Sequence, residues 1–444
     1  GLNAIWFNRI AKEDTLLVFF MMAGFCLYNR AKNLAEEAVQ GQAILYGLSG
    51  AAFGLMFSSK YFPHYYGLLM LFYFLAGTDR RNNRPVPPVA RKYHYAAMML
   101  AFVTFNFALF LPETWRYLVN YIHEDLQTHH GYLVMGRLYP NDLSYTPGGP
   151  PWYFYWLYLL VKMPVPVIVS FCIGLIEIFR KRRSERGGRG YLFLRLMLFF
   201  WLIPMSFIGA KFLRYTLALL PFVYMTAAVG IASFYKLASV VVMSLRRSES
   251  LTAPSLDGPA EDGLVVRGNP GKGVSRVLIG AALVLIFVVA PSATTLQSLP
   301  FPGLYTNAIG QSRIGYFFPH DEFYALGARE SIRYIAEHAL PGSSVASEIP
   351  ATLQYYLDKF GRNDLRSVII SHPGGEIGDP PDFFLVQPGR VYYENEASIV
   401  EIQSRYPVVQ QSGYSGVVTT TVYQNSELGG KPRSPADNKL RASE

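Results

Sequence analysis

Residues 190–236 read GYLFLRLMLFFWLIPMSFIGAKFLRYTLALLPFVYMTAAVGIASFYK. Two apolar runs, 190–209 and 213–236, are joined by a turn at 210–212, and Lys211 and Arg214 stand at the joint. Each run is long enough, as a helix, to cross a hydrocarbon core of about 30 Å. Working outward, six more runs of this kind occur at 15–29, 41–58, 62–78, 95–112, 155–179 and 276–296. The sequence thus predicts a mainly α, polytopic membrane helical bundle of about eight spans.

The loops between the runs alternate in charge. Arg30 and Lys32 follow the first run, and Arg80, Arg81, Arg84, Arg91 and Lys92 follow the third. Arg180, Lys181, Arg182, Arg183, Arg186 and Arg189 follow the fifth, and Lys236, Arg246, Arg247, Arg267, Lys272 and Arg276 border the loop after the seventh. Every second loop is basic, which orients those loops to the cytoplasm. The remaining loops, including 113–154 and everything after about 296, then face outside.

The bulk composition agrees. Of 444 residues 51% are hydrophobic, and the mean hydropathy is +0.18. The net charge of +9 sits in short loops where it sets topology, so it is not the footprint of a nucleic-acid partner. Cys26 and Cys172 both lie in apolar runs, so no disulfide framework or cysteine metal site is readable. Three parts are predicted: a membrane domain over 1–298, with a flexible cytoplasmic linker at 237–275; an extracytoplasmic α/β domain over 299–424; and a disordered polar tail over 425–444. In the α/β domain, 321–340 reads as one amphipathic helix with Asp321 as its N-cap, followed by short β-like runs such as SSVASEI and DFFLVQPG.

Several charged and aromatic residues invite two readings. Glu13 and Asp14 stand where an outer loop meets the first run. They are either helix-start acids stabilised by the dipole or a functional pair kept beside hydrocarbon at some cost. Lys60, Lys162, Lys211 and Arg214 break the positive-inside pattern by lying at outer helix ends. They read as snorkelling anchors or as cations that hold the phosphate of a lipid carrier. Lys211 and Arg214, spaced i, i+3, are expected on one helical face. The outer loop carries THHGY, with His129, His130 and Tyr132, close to Glu124, Asp125 and Asp142. His with carboxylates suits proton transfer or a divalent metal, yet an adjacent pair without a third spaced ligand also suits a plain interfacial loop. No phosphate loop, nucleophile elbow or metalloprotease motif is present in the sequence.

The order of these features resembles a known family. R-x-A-x-x-D-x-L (Arg9, Ala11, Asp14, Leu16) opens a helix, and a small-residue helix ends in Lys60 (GLSGAAFGLMFSSK). HHGY, GGPPWYFY, VKMPVP and GAKFLRYTLALLPF follow in order. Over 1–236 this pattern is similar to the family 39 membrane glycosyltransferases, the dolichyl-phosphate-mannose protein mannosyltransferase-like group of the GT-C superfamily. Residues 305–357 resemble the extracytoplasmic domain of its bacterial members.

The resemblance implies inverting transfer of a sugar from a polyprenyl-phosphate donor at the outer face, with a protein, glycolipid or polysaccharide as acceptor. Short loops and the absence of retention signals in the sequence point to a bacterial inner membrane as the location. Asp14, beside Glu13, corresponds to the family's second acidic position and would orient the acceptor or a metal ion. Lys211 and Arg214, with Lys60 and Lys162, would hold the donor phosphate, and His129, His130 and Tyr132 fit the loop over the active site. The family's catalytic carboxylate follows an earlier helix, so the base is expected upstream of residue 1. Two other classes remain open: a transporter or flippase of lipid-linked sugars, and a non-catalytic membrane assembly protein.

Overall fold

A computed structural model describes residues 5, 7, 13–34, 39–60, 64–76, 86–120, 130–181, 188–252, 270–370, 381–414 and 416–426. The chain divides into two compact units. The first comprises 1–119, 152–206 and 212–312; the second comprises 120–151, 207–211 and 313–444.

The first unit is helical. Its described elements are α1 (Asp14–Lys32), α2 (Val39–Ser59), α3 (His64–Ala76), α4 (Pro88–Phe105), α5 (Pro112–Asn120), α6 (Phe154–Lys162), α7 (Val165–Arg180), α8 (Gly188–Phe207), α9 (Leu220–Thr252), α10 (Pro270–Val284) and α11 (Ala290–Gln297), the last residues of α5 and α8 falling in the second unit. A π-turn, Leu285–Val289, joins α10 to α11. Among the described residues three stretches are long and apolar enough to span a bilayer: Gly188–Phe207, Leu220–Val242 and Val277–Gln297. With them the protein is an integral membrane protein by construction.

Close packing in this unit depends on small residues. On α2, a Cβ at Gly50 would meet the backbone carbonyl of His94 on α4, and one at Gly54 would meet that of Met98. On the other pair, Gly174 of α7 faces the Thr226 carbonyl and Gly230 of α9 faces the Ser170 carbonyl. Lipid tails are as apolar as side chains, so helices in a membrane gain by close backbone approach, which only small residues permit. Ser49 of α2 donates to the Gly24 carbonyl of α1 at 2.9 Å, which ties a third helix to the same group.

Three expectations are corrected here. The run 155–179 is two helices, because Pro164 lacks an amide hydrogen and pins its φ, so α6 stops and α7 begins beyond it. The linker expected at 237–275 is partly helical, since α9 continues to Thr252 and α10 starts at Pro270. Residues 213–218 form a 3-10 turn, and α9 proper begins only at Leu220.

The second unit contains a hairpin, β1 (His130–Val134) with β2 (Arg137–Asn141), and a five-stranded sheet. The sheet order is β4 (Arg366–Ile369), β3 (Ser344–Ser347), β5 (Phe383–Val386), β7 (Val417–Gln424), β6 (Val408–Tyr414). β3 runs parallel to β4 and β5; β7 runs antiparallel to β5 and β6. Alternation along the strands supplies two cores. Val345, Phe383, Leu385 and Val422 pack on α13 (Ala328–His338) and α14 (Pro350–Lys359). Ala346, Phe384, Val386 and Tyr423 pack on Ile399 and Ile402 of α15 (Glu396–Arg405). The predicted α/β character is present as three layers.

The single helix expected over 321–340 is split. A short α12 (Pro319–Phe323) precedes α13, and Tyr324 and Gly327 both take positive φ between them. Asp321 therefore lies inside the first turn of α12, whose N-cap is Phe318. Of the apolar face predicted from Leu326, Ile332, Ile335 and Ala336, the last three are buried, while Leu326 precedes α13 and is half-buried. The tail from 427 onward lies outside the described residues.

Glu348, just past β3, is buried and accepts hydrogen bonds from the Tyr392 amide at 3.3 Å and Asn395 Nδ2 at 3.1 Å. Asn395 also donates to the Ile370 carbonyl at 2.6 Å, so this carboxyl ties the ends of two parallel strands to one loop. Burial outweighs those bonds and pushes the Glu348 carboxyl up to about 7. A raised carboxyl pKa means that the folded state holds its proton longer than the unfolded chain does. Stability from this group is full below the usual value of 4.5 and falls as pH rises toward 7. Glu348→Gln should flatten that fall and raise stability at pH 8 by up to about 3 kcal/mol. Hydrogen exchange of the β3–β5 amides across pH 5–8 tests this, and an unchanged pH slope in the variant refutes it.

Candidate active site

The chemistry-bearing residues of the first unit meet where α1 begins, α2 ends and the 3-10 turn of 213–218 passes. Asp14 opens α1 and is buried, 4% exposed. Lys60, one residue past α2, places Nζ 2.5 Å from Asp14 Oδ1 and 3.6 Å from Glu13 Oε1. The same ammonium lies 4.7 Å from the ring centroid of Tyr215. Next to it, the Arg214 guanidinium lies 4.3 Å from the Phe212 ring centroid and 5.5 Å from that of Tyr215. Two acids, two cations and an aromatic plate thus share one end of the bundle.

The local causes are visible in the sequence. α2 is an unbroken small-residue helix whose last turn closes on Lys60, so the length of GLSGAAFGLMFSS sets where the ammonium falls. Phe212 is extended and the next six residues wind tightly, which turns Arg214 and Tyr215 to the same neighbourhood. Among the described residues Asp14 Oδ2 is buried and accepts no hydrogen bond. Lys60 holds one oxygen of this carboxylate and leaves the other as an acceptor for a hydroxyl. Aromatic side chains of this unit are locked to one another: Trp201 Nε1 donates to the Tyr65 hydroxyl at 2.8 Å, and Tyr155 packs edge-on to Trp201 at 4.9 Å.

Other predicted site residues lie elsewhere. Lys162 is 1% exposed, and its ammonium donates to the carbonyls of Gly303 (3.3 Å) and Tyr305 (2.7 Å) and to Thr306 Oγ1 (3.2 Å). A buried ammonium on backbone oxygens is neither a snorkelling anchor nor aimed at a lipid phosphate by these contacts. It instead ties the segment after α11 to the end of α6. Lys211 belongs to the second unit, fully buried, with Nζ 2.8 Å from the Pro150 carbonyl and 2.5 Å from that of Ile208. Its amide donates to Asn141 Oδ1 at 2.6 Å. Burial holds the Lys211 ammonium down at about 8. The shared helical face expected for Lys211 and Arg214 does not form, because Lys211 precedes the turn in extended chain.

In the HHGY motif, His129 lies outside the described residues, and His130 opens β1. Tyr132 is buried in the second unit and donates to Asp321 Oδ2 at 2.6 Å. Its ring also stands 5.0 Å from that of His320. The structure thus joins HHGY to PHDEF, two motifs that nothing in their spacing pairs. Among the described residues no cluster of three or more His, Cys, Asp or Glu side chains is placed to hold a metal ion. Tyr215 is the site residue that sequence reasoning passed over; its signal is the aromatic residue directly after Arg214 in KFLRY.

Residues 5–127 match the profile of the family described as dolichyl-phosphate-mannose-protein mannosyltransferase. No curated protein matches the chain in sequence. Among solved structures, ArnT from Cupriavidus metallidurans bound to undecaprenyl phosphate aligns at a TM-score of 0.42 with 13% identity, over 95% of this chain and 76% of that one. The apo state of the same protein aligns at 0.43 with 11% identity, over 95% and 75%. The family profile agrees, over residues 5–127, with the resemblance read from the sequence: that stretch is similar to the dolichyl-phosphate-mannose-protein mannosyltransferases.

Proposed function

We propose that this protein is an integral membrane glycosyltransferase that moves a sugar from a polyprenyl-phosphate donor to an acceptor at the extracytoplasmic face of a bacterial inner membrane. The observation that carries the reading is the Asp14–Lys60 pair beside Arg214 and Tyr215, built partly on the segment that matches the family. In the reaction an acceptor hydroxyl oxygen bonds to the anomeric carbon, and the bond from that carbon to the phosphate oxygen breaks. The electron pair leaves on the phosphate, and the hydroxyl proton passes to a carboxylate base. Attack opposite to the leaving phosphate inverts the anomeric centre.

Each residue has a part in this scheme. Arg214, backed by two aromatic rings, meets the charge that develops on the leaving phosphate; a guanidinium pairs with phosphate oxygens through two parallel hydrogen bonds. Lys60 fixes Asp14, and Asp14 Oδ2 orients the acceptor hydroxyl. The acceptor is a protein, glycolipid or polysaccharide. Removing the guanidinium with Arg214→Ala should cut transfer of radiolabelled sugar from polyprenyl phosphate about 10²–10³-fold, the usual cost of one transition-state charge contact. Arg214→Lys should recover part of that loss. Wild-type rates in Arg214→Ala membranes would remove the phosphate role, and no transfer by the wild type from any polyprenyl sugar would favour a transporter.

A further inference from the structure

A largely apolar cavity with a charged mouth lies in the first unit at the opposite end of α1 from Asp14. It has a volume of about 460 Å³ and is lined by α1, α3, α8 and α9. Lys32, in the last turn of α1, and Arg189, in the first turn of α8, both open onto it. The Lys32 ammonium lies 5.1 Å from the Tyr73 ring centroid, and Arg189 Nη2 donates to the carbonyl of Ala76, the last residue of α3, at 3.2 Å. Asn29, Asn33 and Tyr73 add amide and hydroxyl groups, and Tyr73 donates to Asn29 Oδ1 at 3.2 Å. Phe25, Leu69, Phe72 and Phe193 form the apolar part of the wall, with Phe25 and Phe72 packed edge-on to Phe193 at 5.6 and 5.2 Å.

No Asp or Glu lines this cavity among the described residues. Two cations converge there, and burial together with the Arg189 charge holds the Lys32 ammonium below its usual value. A like-charged pair in a half-apolar pocket is relieved by an anion. The size is that of an ordinary small-molecule site. The mixture of a cationic, amide-lined mouth and an aromatic wall selects an anion that carries a hydrocarbon chain. By the charge of its loops this end faces the cytoplasm, where the leaflet is rich in anionic headgroups.

We infer that the cavity between Lys32, Arg189 and Tyr73 is a binding site for the phosphate headgroup of an anionic membrane lipid, with its first acyl carbons on the Phe25–Phe72–Phe193 wall. The site is separate from the Asp14 end of the bundle and stands whether or not the transferase reading holds. Basic residues near a leaflet contribute roughly 1 kcal/mol each toward an anionic lipid, so two of them give about 30-fold selectivity.

The test uses the full chain purified in a neutral detergent and titrated with dioleoyl phosphatidylglycerol, dioleoyl phosphatidylcholine or inorganic phosphate. Native mass spectrometry counts the lipid retained. The wild type should retain one phosphatidylglycerol at about 30-fold lower concentration than phosphatidylcholine, and Lys32→Gln/Arg189→Gln should lose that preference. Arg189→Lys, which keeps the charge, should keep most of it and guards against a mere folding defect. Equal retention of the two lipids by the wild type overturns the inference, as does an unchanged preference in the double variant. Displacement of the phosphatidylglycerol by inorganic phosphate at similar concentration also overturns it, since that would make the site one for a free anion.

Discussion

Asp14→Asn should lower sugar transfer by about 10²–10³-fold in kcat/KM while the protein still reaches the membrane in normal amount. Asparagine keeps the size and one acceptor oxygen but removes the charge that Lys60 Nζ meets at 2.5 Å. The ammonium then loses its strong partner, and one carboxylate oxygen is replaced by an amide nitrogen. Two effects are mixed in that loss. Breaking a largely buried pair by deleting one charge commonly costs about 3–5 kcal/mol, because the other charge stays behind. Lys60 remains 17% exposed in its side chain and has the Tyr215 ring beside it, so the structural part should be smaller here. The double variant Asp14→Asn/Lys60→Gln separates the parts. If Asp14 acts only through its ion pair, the double variant should recover stability and activity together. If it orients the acceptor, stability should return while transfer stays low. Wild-type transfer by Asp14→Asn alone would end the assignment.

The second large effect is expected at a glycine far from any chemistry. Gly50→Ala should destabilise the helical unit by about 1–3 kcal/mol, and Gly50→Leu should abolish detergent-stable protein. A single methyl group there would collide with the backbone carbonyl of His94, which cannot rotate away as a side chain does. α2 and α4 would have to part, and with them the cradle in which His94 Nδ1 lies 2.9 Å from the Tyr46 carbonyl. Gly67→Ala and Gly280→Ala are the controls, since a Cβ at either position meets nothing within 4 Å. Thermal unfolding followed by fluorescence-detected size exclusion reads all four variants. A Gly50→Ala midpoint equal to that of the controls would show that the α2–α4 contact can relax.

Much of the molecule was legible before any coordinates. Runs of apolar residues announced helices because a membrane leaves the backbone no other partner for its hydrogen bonds. Short β-like runs announced strands, and the structure turns Val345, Phe383 and Leu385 to one core and Ala346, Phe384 and Val386 to the other. Helix ends were less legible. Proline broke the run 155–179 at a place where hydropathy alone is continuous, and positive φ at Tyr324 split a helix that periodicity had joined. The cations were legible only as a class. Lys60, Lys162, Lys211 and Arg214 look alike along the chain, each beside an apolar run. In three dimensions Lys60 meets carboxylates, Arg214 lies among aromatic rings, and Lys162 and Lys211 turn to backbone carbonyls.

By itself the sequence determined the membrane-embedded helical class, the α/β character of the C-terminal region, and the family likeness of the first 127 residues, since each depends on local composition and order. Only the tertiary structure decided which charges meet. Asp14 and Lys60 are 46 positions apart, and Tyr132 and Asp321 are 189 apart. A partner at such range leaves no trace in spacing or hydropathy. It is set by where each element stops and, for Asp14 and Lys60, by how α1 lies along α2, where Ser49 donates to the Gly24 carbonyl.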